Sequence, residues 1–339
     1  MSEEINITIK NLIVHILDNN LHMPVISDQE HPEDEEIDEF VKKHILKILK
    51  DENLKTARFI GENNKMRELS ESIAMNNSQF KPVTDEIAVE LFGIMQKHVD
   101  IPSADLLCTF FELDAAPHLA VLKFNYKPSY IHYVQTLQAG RVNSIVKQKT
   151  SLPTEGQKVE ECAIINLFSL DIKLIEKKYE INGEKEFYFS TLFLNCTSDL
   201  SSKEKVKLFK KATESFNKQY FEEDFSKTIE IRQAVTESLD QNAVVDVVEV
   251  AENVFRQNPE LKQTYVEYVE KAGLRDKTFE VSESVADKSF RRQRIKTDTG
   301  IEINLPIEYY KDNDKLEFIN NVDGTISIVI KNVARIMDA

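Results

Sequence analysis

Four cations fall within six residues at Arg291, Arg292, Arg294 and Lys296. That density suits the gripping of adjacent phosphates, because each guanidinium fork can engage two oxygens at once. The plainer alternative is a solvated segment whose cations pair with Asp287, Asp298 and Glu302. A second cluster comprises Lys203, Lys205, Lys207, Lys210 and Lys211. On a helix Lys203, Lys207, Lys210 and Lys211 lie near one face, among Val206, Leu208, Phe209 and Ala212. A solvated helix face accounts for these lysines more simply than a phosphate track. The aromatic series Phe209, Phe216, Tyr220, Phe221 and Phe225 has the chemistry for base stacking. Its first members share one helical stripe, however, and such stripes are usually core. Tyr126, Tyr130 and Tyr133, close to Lys123 and Lys127, fit a binding surface or a strand end packed on a sheet equally well.

The background field opposes these cations. The chain has 43 Lys and Arg against 58 Asp and Glu, a net charge of -15. As a whole it repels a polyanion, so any contact with nucleic acid must be local. Acids concentrate from Asp28 to Glu39. This run has the charge to dock a basic protein surface or to mimic phosphate, but a soluble loop leading into a helix start is the preferred reading. Signatures of catalysis are missing. The chain has no phosphate-cradling glycine loop, nucleophile elbow, H-E-x-x-H or C-x-x-C. Its three cysteines, Cys108, Cys162 and Cys196, are far apart and set among apolar neighbours, which suits buried thiols in a reducing compartment. His118 and His132 are each expected to be structural. No catalytic residue, metal or cofactor is expected, although so many carboxylates leave a metal-dependent nuclease site open.

With 339 residues, 41% hydrophobic, the chain is long enough for two domains, or three small ones, each with its own core. The acidic start lacks the apolar stretch of a signal peptide. Runs such as Cys162–Phe168 are far shorter than the ~20 residues that span a bilayer. A soluble, cytoplasmic protein without membrane contact is expected.

The elements that must position these residues follow from periodicity. Alternation over Ile5–Leu17 predicts a strand. Apolar residues at helical spacing predict helices over Pro32–Lys50, Lys65–Asn76 and Thr84–Val99, the last capped by Thr84. Strands are expected at Asp105–Glu112 and His118–Tyr126, joined through Asp114–Pro117. Others are expected at Arg141–Lys149, Glu161–Phe168, Ile172–Ile181 and Glu186–Leu194, with Asn182-Gly183 as a hairpin turn. Ser201-Ser202 starts an all-helical stretch, in which Pro259 opens a helix that ends at Gly273. Beyond Arg291, alternating runs at Gly300–Pro306, Leu316–Asn320 and Thr325–Lys331 predict a small three-stranded sheet. The fold class is α+β. An N-terminal domain with a mainly antiparallel sheet spans 1–198, a helical region 199–290, and a small β-rich region 291–339.

The stretch Ile295-Lys-Thr-Asp-Thr-Gly-Ile-Glu-Ile-Asn-Leu-Pro306, with Leu316-Glu-Phe-Ile and Gly324-Thr-Ile-Ser-Ile-Val-Ile-Lys-Asn, resembles the end of the 37-kDa nucleoid-associated bacterial protein family (YejK/NdpA-like). The opening strand, the segment around His118-Leu-Ala-Val-Leu-Lys and Phe216–Phe225 resemble it too, in order and over nearly the whole length. The resemblance implies association with the bacterial nucleoid and, in some members, contact with type II topoisomerase subunits. It transfers no catalytic residue. The expectation is therefore an accessory protein that binds double-stranded DNA without sequence specificity, contacts type II topoisomerases, or both. Arg291, Arg292, Arg294, Lys296, Lys203, Lys207, Lys210 and Lys211 are its candidate DNA contacts, and self-association would add avidity. The alternatives are a purely protein-binding adaptor and an unfamiliar metal-dependent hydrolase or nuclease.

Overall fold

A computed structural model describes residues 5–335 apart from 139, 223 and 311, and leaves the side chains of Phe225 and Asn320 undescribed. The chain divides into two units, Met1–Asp199 and Leu200–Ala339.

The first unit runs β1 (Ile7–Leu17), α1 (Glu35–Leu49), β2 (Lys55–Phe59), α2 (Lys65–Met75), α3 (Phe80–Lys97), β3 (Ala104–Leu113) and β4 (Ala116–Asn125). It continues with β5 (Ser129–Leu137), β6 (Gly140–Gln148), β7 (Glu161–Asn166), β8 (Ile172–Ile175), β9 (Tyr179–Ile181), β10 (Glu184–Glu186) and β11 (Cys196–Ser198). Seven strands form one sheet in the order β1-β3-β4-β7-β8-β2-β11, with every pair antiparallel. Helices cover both faces. Val41, Ile45 and Ile48 of α1 pack with Leu107, Phe111 and Leu122 on one side. Leu69, Ile73, Ile87 and Leu91 of α2 and α3 pack with Ile13, Leu106 and Val121 on the other. Burial on two faces explains why β4 is almost continuously apolar instead of alternating. A two-residue turn, Asp114-Ala115, joins β3 to β4 with both residues left-handed, at φ 49° and 65°. That geometry matches the twist of the paired strands.

Three expectations for this unit are corrected. Thr84 does not cap a helix: it is buried inside α3, which begins earlier because Phe80 and Val83 are drawn into the core. Glu186–Leu194 is not a strand. After β10 it forms a π-helical turn, Phe189–Phe193, since Phe189 and Phe193, four residues apart, enter the same core. Ile172–Ile181 breaks into β8 and β9, and β9 turns through Asn182-Gly183 into β10 as the turn chemistry predicts.

The second unit contains α4 (Ser202–Phe221), α5 (Phe225–Asn242), β12 (Val244–Asp246), α6 (Val247–Val254), α7 (Pro259–Lys271), β13 (Thr278–Glu280) and α8 (Glu283–Ala286). Then follow β14 (Arg292–Lys296), β15 (Glu302–Pro306), β16 (Leu316–Asn320) and β17 (Ile326–Ile330). A reciprocal capping box between Ser201 and Glu204 starts α4, and Asn258 caps α7 with Pro259 in its first turn. Phe209, Phe216, Val235, Val250, Phe255, Tyr265 and Phe290 make the core. The middle region is not wholly helical, because β12 pairs with β13. Nor does the end form a three-stranded sheet. Arg292–Lys296, expected as a charged lead-in, is itself a strand paired with β15, while β16, among the described residues, pairs only with β17. The turn Ile307–Tyr310, with Ile307 buried, separates the two hairpins.

Candidate nucleic-acid interface

The strand period of two sorts the cations of β14. Arg292, Arg294 and Lys296 are exposed, while Gln293 between them is buried and Ile295 half-buried. Gln293 accepts a hydrogen bond from the Arg232 guanidinium of α5, which ties the inner face of the strand to the helical core. Opposite the outer row, β15 presents Pro306, Asn304 and Glu302. Glu302 is the sole carboxylate there. It pairs with Arg294 and lies 3.8 Å from the Lys296 ammonium. Arg292 has no ion pair among the described residues. Two cations thus share one carboxylate along an exposed edge, and a third carries no ion pair among the described residues.

Arg291 is separated from this row. It ends the π-helical turn Asp287–Arg291, and its guanidinium is held by Asp240 at 2.8 Å, by Asp287 at 3.0 Å and by Glu283. These three partners raise its pKa above the ordinary arginine value. Its charge is locally outweighed, so it organises the wall of a cleft of about 940 Å³ instead of facing solvent as a free cation.

The lysines of α4 also divide. Lys203, Lys207 and Lys211 are exposed, and Lys205 pairs with Asp276 at 2.6 Å. Lys210 is half-buried, and burial followed by repulsion from Arg232 lowers its pKa. Lys210 therefore turns toward α5, whereas Lys211 lines a hollow with Leu208, Tyr268 and Lys271. On the single helix α4 the four candidate lysines lie near one face, with Lys210 at its half-buried edge.

The remaining candidates take structural places. Phe209 and Phe216 are core, and Tyr220 stacks on Phe216 at 4.5 Å. Asp34 caps α1, with Glu35, Glu36 and Asp38 in its first turn, where the helix dipole favours negative charge. All three cysteines are buried and free, and burial pushes the Cys196 thiol up to about 12. His118 is buried, bonded through Nδ1 to the Ala116 carbonyl and stacked on Phe111. His132 lies on β5, which sequence periodicity did not identify.

β5 and β6 pair over nine positions into a hairpin that has no further strand neighbour among the described residues, and nearly all of its residues are exposed. Tyr130 and Tyr133 belong to it, at 71% and 51% exposure, so they are not packed on the sheet. A signal for this element was present in the sequence. No Asp or Glu occurs between Asp114 and Glu155 in a chain that holds 58 of them.

No helix among the described residues is long and apolar enough to cross a membrane. No group of three or more His, Cys, Asp or Glu side chains among them converges as a metal site. Residues 13–338, which span both units, match the model of a nucleoid-associated protein class. The chain belongs to that family, described as nucleoid-associated protein YejK. No curated protein matches the chain.

Proposed function

We propose that this nucleoid-associated protein touches duplex DNA directly, through phosphate contacts that do not read bases. The observation that carries the reading is the outer row of β14, where Arg294 and Lys296 share a single carboxylate, Glu302, and the exposed Arg292 has no ion pair among the described residues. Such a row neutralises phosphates and releases their counterions, which drives binding without sequence information. Arg291 holds the turn from which the row departs. The exposed Lys203 and Lys207 of α4 add cationic surface to the same unit. The protein acts in the cytoplasm at the nucleoid by binding, not by catalysis.

A second reading is favoured by the net charge of -15. In it the chain is an adaptor that reaches the chromosome only through a partner such as a type II topoisomerase subunit. Titration of the purified protein into a random-sequence duplex over a salt series separates the two. Direct contact predicts binding at low salt that weakens as salt rises. Absence of binding at 50 mM salt refutes direct contact and leaves the adaptor.

A further inference from the structure

We propose that the β5–β6 hairpin is a separate DNA-contact element, an arm whose cationic face enters a groove of the duplex. The inference rests on the duplex-binding reading above but uses different residues in the other unit.

The first argument is packing. A two-stranded hairpin with no third strand or covering helix is marginal in water, and apolar side chains exposed along it need a partner. Here nine residue pairs run out from the ends of β4 and β7 with almost no burial. At ~3.3 Å per residue the arm is about 30 Å long. Ile131, Val134 and Ile145 are exposed by 46%, 51% and 79%, far from the burial such residues usually reach.

The second argument is charge. The acid-free interval between Asp114 and Glu155 contains Lys127, Arg141, Lys147 and Lys149. In a molecule of net charge -15 this is a local reversal of sign. Lys127 is held at the base of the arm by Glu160, 3.5 Å away. Arg141 and Lys147 have no ion pair among the described residues and are exposed.

The third argument is register. Tyr130 lies opposite Lys147, His132 opposite Ile145, and Thr136 opposite Arg141. These pairs share one face, since alternate residues of each strand point the same way. That face combines two cations, hydrogen-bonding side chains, an exposed aromatic ring and the apolar Val134, opposite Asn143, and Ile145. The opposite face, with Ile131 against Val146 and Tyr133 against Ser144, bears no charge. Paired strands about 4.8 Å apart are narrow enough for a major groove about 12 Å wide, which admits a two-stranded ribbon. A polyanionic duplex is the occupant that this charge distribution complements. A second copy of the chain, itself strongly anionic, is the competing occupant.

The test uses the full chain with a fluorescein-labelled random 20-base-pair duplex, read by anisotropy from 50 to 200 mM salt. Arg141→Ala combined with Lys147→Ala removes two phosphate contacts. It is expected to reduce the slope of log affinity on log salt by about 1.8, so that the variant loses roughly 12-fold less affinity than the unaltered protein over that range. Arg141→Lys, which keeps the charge, is expected to retain the slope. Wild-type affinity and slope in the double variant overturn the arm and leave the β14 reading standing. Failure of the unaltered protein to bind at 50 mM salt overturns both. Sedimentation velocity covers the competing occupant. An unchanged oligomeric state in the double variant supports DNA as the ligand, and dissociation of an oligomer assigns the arm to a second copy.

Discussion

Replacing Glu302 by Gln removes the carboxylate that, alone among the described residues, engages both Arg294 and Lys296, while keeping the side chain's shape. Arg294 and Lys296 then lose the counter-charge they share, and the row of three cations gains one net positive charge. If each released charge finds a phosphate, one further contact forms, and the slope of log affinity on log salt steepens by about 0.9. Over a fourfold rise in salt, that slope corresponds to an additional factor of about 3.5 in lost affinity, with tighter binding at the low-salt end. The opposite variant, Arg292→Ala with Arg294→Ala and Lys296→Ala, loses two to three contacts and flattens the slope by about 1.8 to 2.7. Folding should not confound the comparison. Glu302 and its partners are largely solvated, and exposed ion pairs contribute about 0–1 kcal/mol. Anisotropy titrations of the random duplex between 50 and 200 mM salt measure both slopes. Weaker binding by Glu302→Gln, or a slope equal to that of the unaltered protein, refutes the claim that this row faces phosphate.

The buried pair in the first unit makes a prediction about stability. The Lys123 ammonium donates to Glu161 Oε2 at 2.9 Å, and both side chains are fully buried. Asn125 and Tyr179 each donate to the same oxygen at 2.9 Å. Lys123→Met is expected to destabilise the protein by about 3–5 kcal/mol, because it strands a buried carboxylate. Adding Glu161→Gln restores most of the loss, since a neutral carbonyl still accepts from Asn125 and Tyr179. Urea denaturation reads both variants, and a double variant no more stable than Lys123→Met contradicts the account. Acid is the other lever on this unit. Burial lowers the pKa of His15, His44 and His118 below 6.5, so each is neutral when folded. The unfolded chain binds the extra protons. Their contribution to stability is therefore complete above pH 6.5 and falls below it, by roughly 1.4 kcal/mol per pH unit for each histidine until its folded pKa is reached. A thermal midpoint that holds constant from pH 7 to pH 5 contradicts neutral burial of these rings.

Much of the architecture is legible because it is enforced over a few residues. Ser201 with Glu204, Asn258 with Pro259, and Asn182-Gly183 act within one turn, and each ends or begins an element where expected. The apolar stripe through Phe209 and Phe216 is likewise core, since helical spacing places both on one side. Of the β5–β6 hairpin, periodicity found β6, expected over Arg141–Lys149, but missed β5 for the converse reason. Neither of its faces is buried, so no alternation of apolar and polar residues is imposed on Ser129–Leu137. Its acid-free charge pattern was the readable signal.

By itself the sequence settles the α+β character, the helix starts capped at Ser201 and Asn258, and membership of a nucleoid-associated family, because these depend on local chemistry and on the order of segments along the chain. The division of labour among the cations was decided by tertiary structure. Arg291 and Arg292 are adjacent and chemically identical, yet Arg291 is ion-paired to three carboxylates, whereas Arg292 is exposed and has no ion pair among the described residues. The difference arises because a helical turn ends and a strand begins between them, and because Asp240, 51 residues away, is folded against the turn. Charge depends on what surrounds it in space, and spacing along the chain does not carry that information.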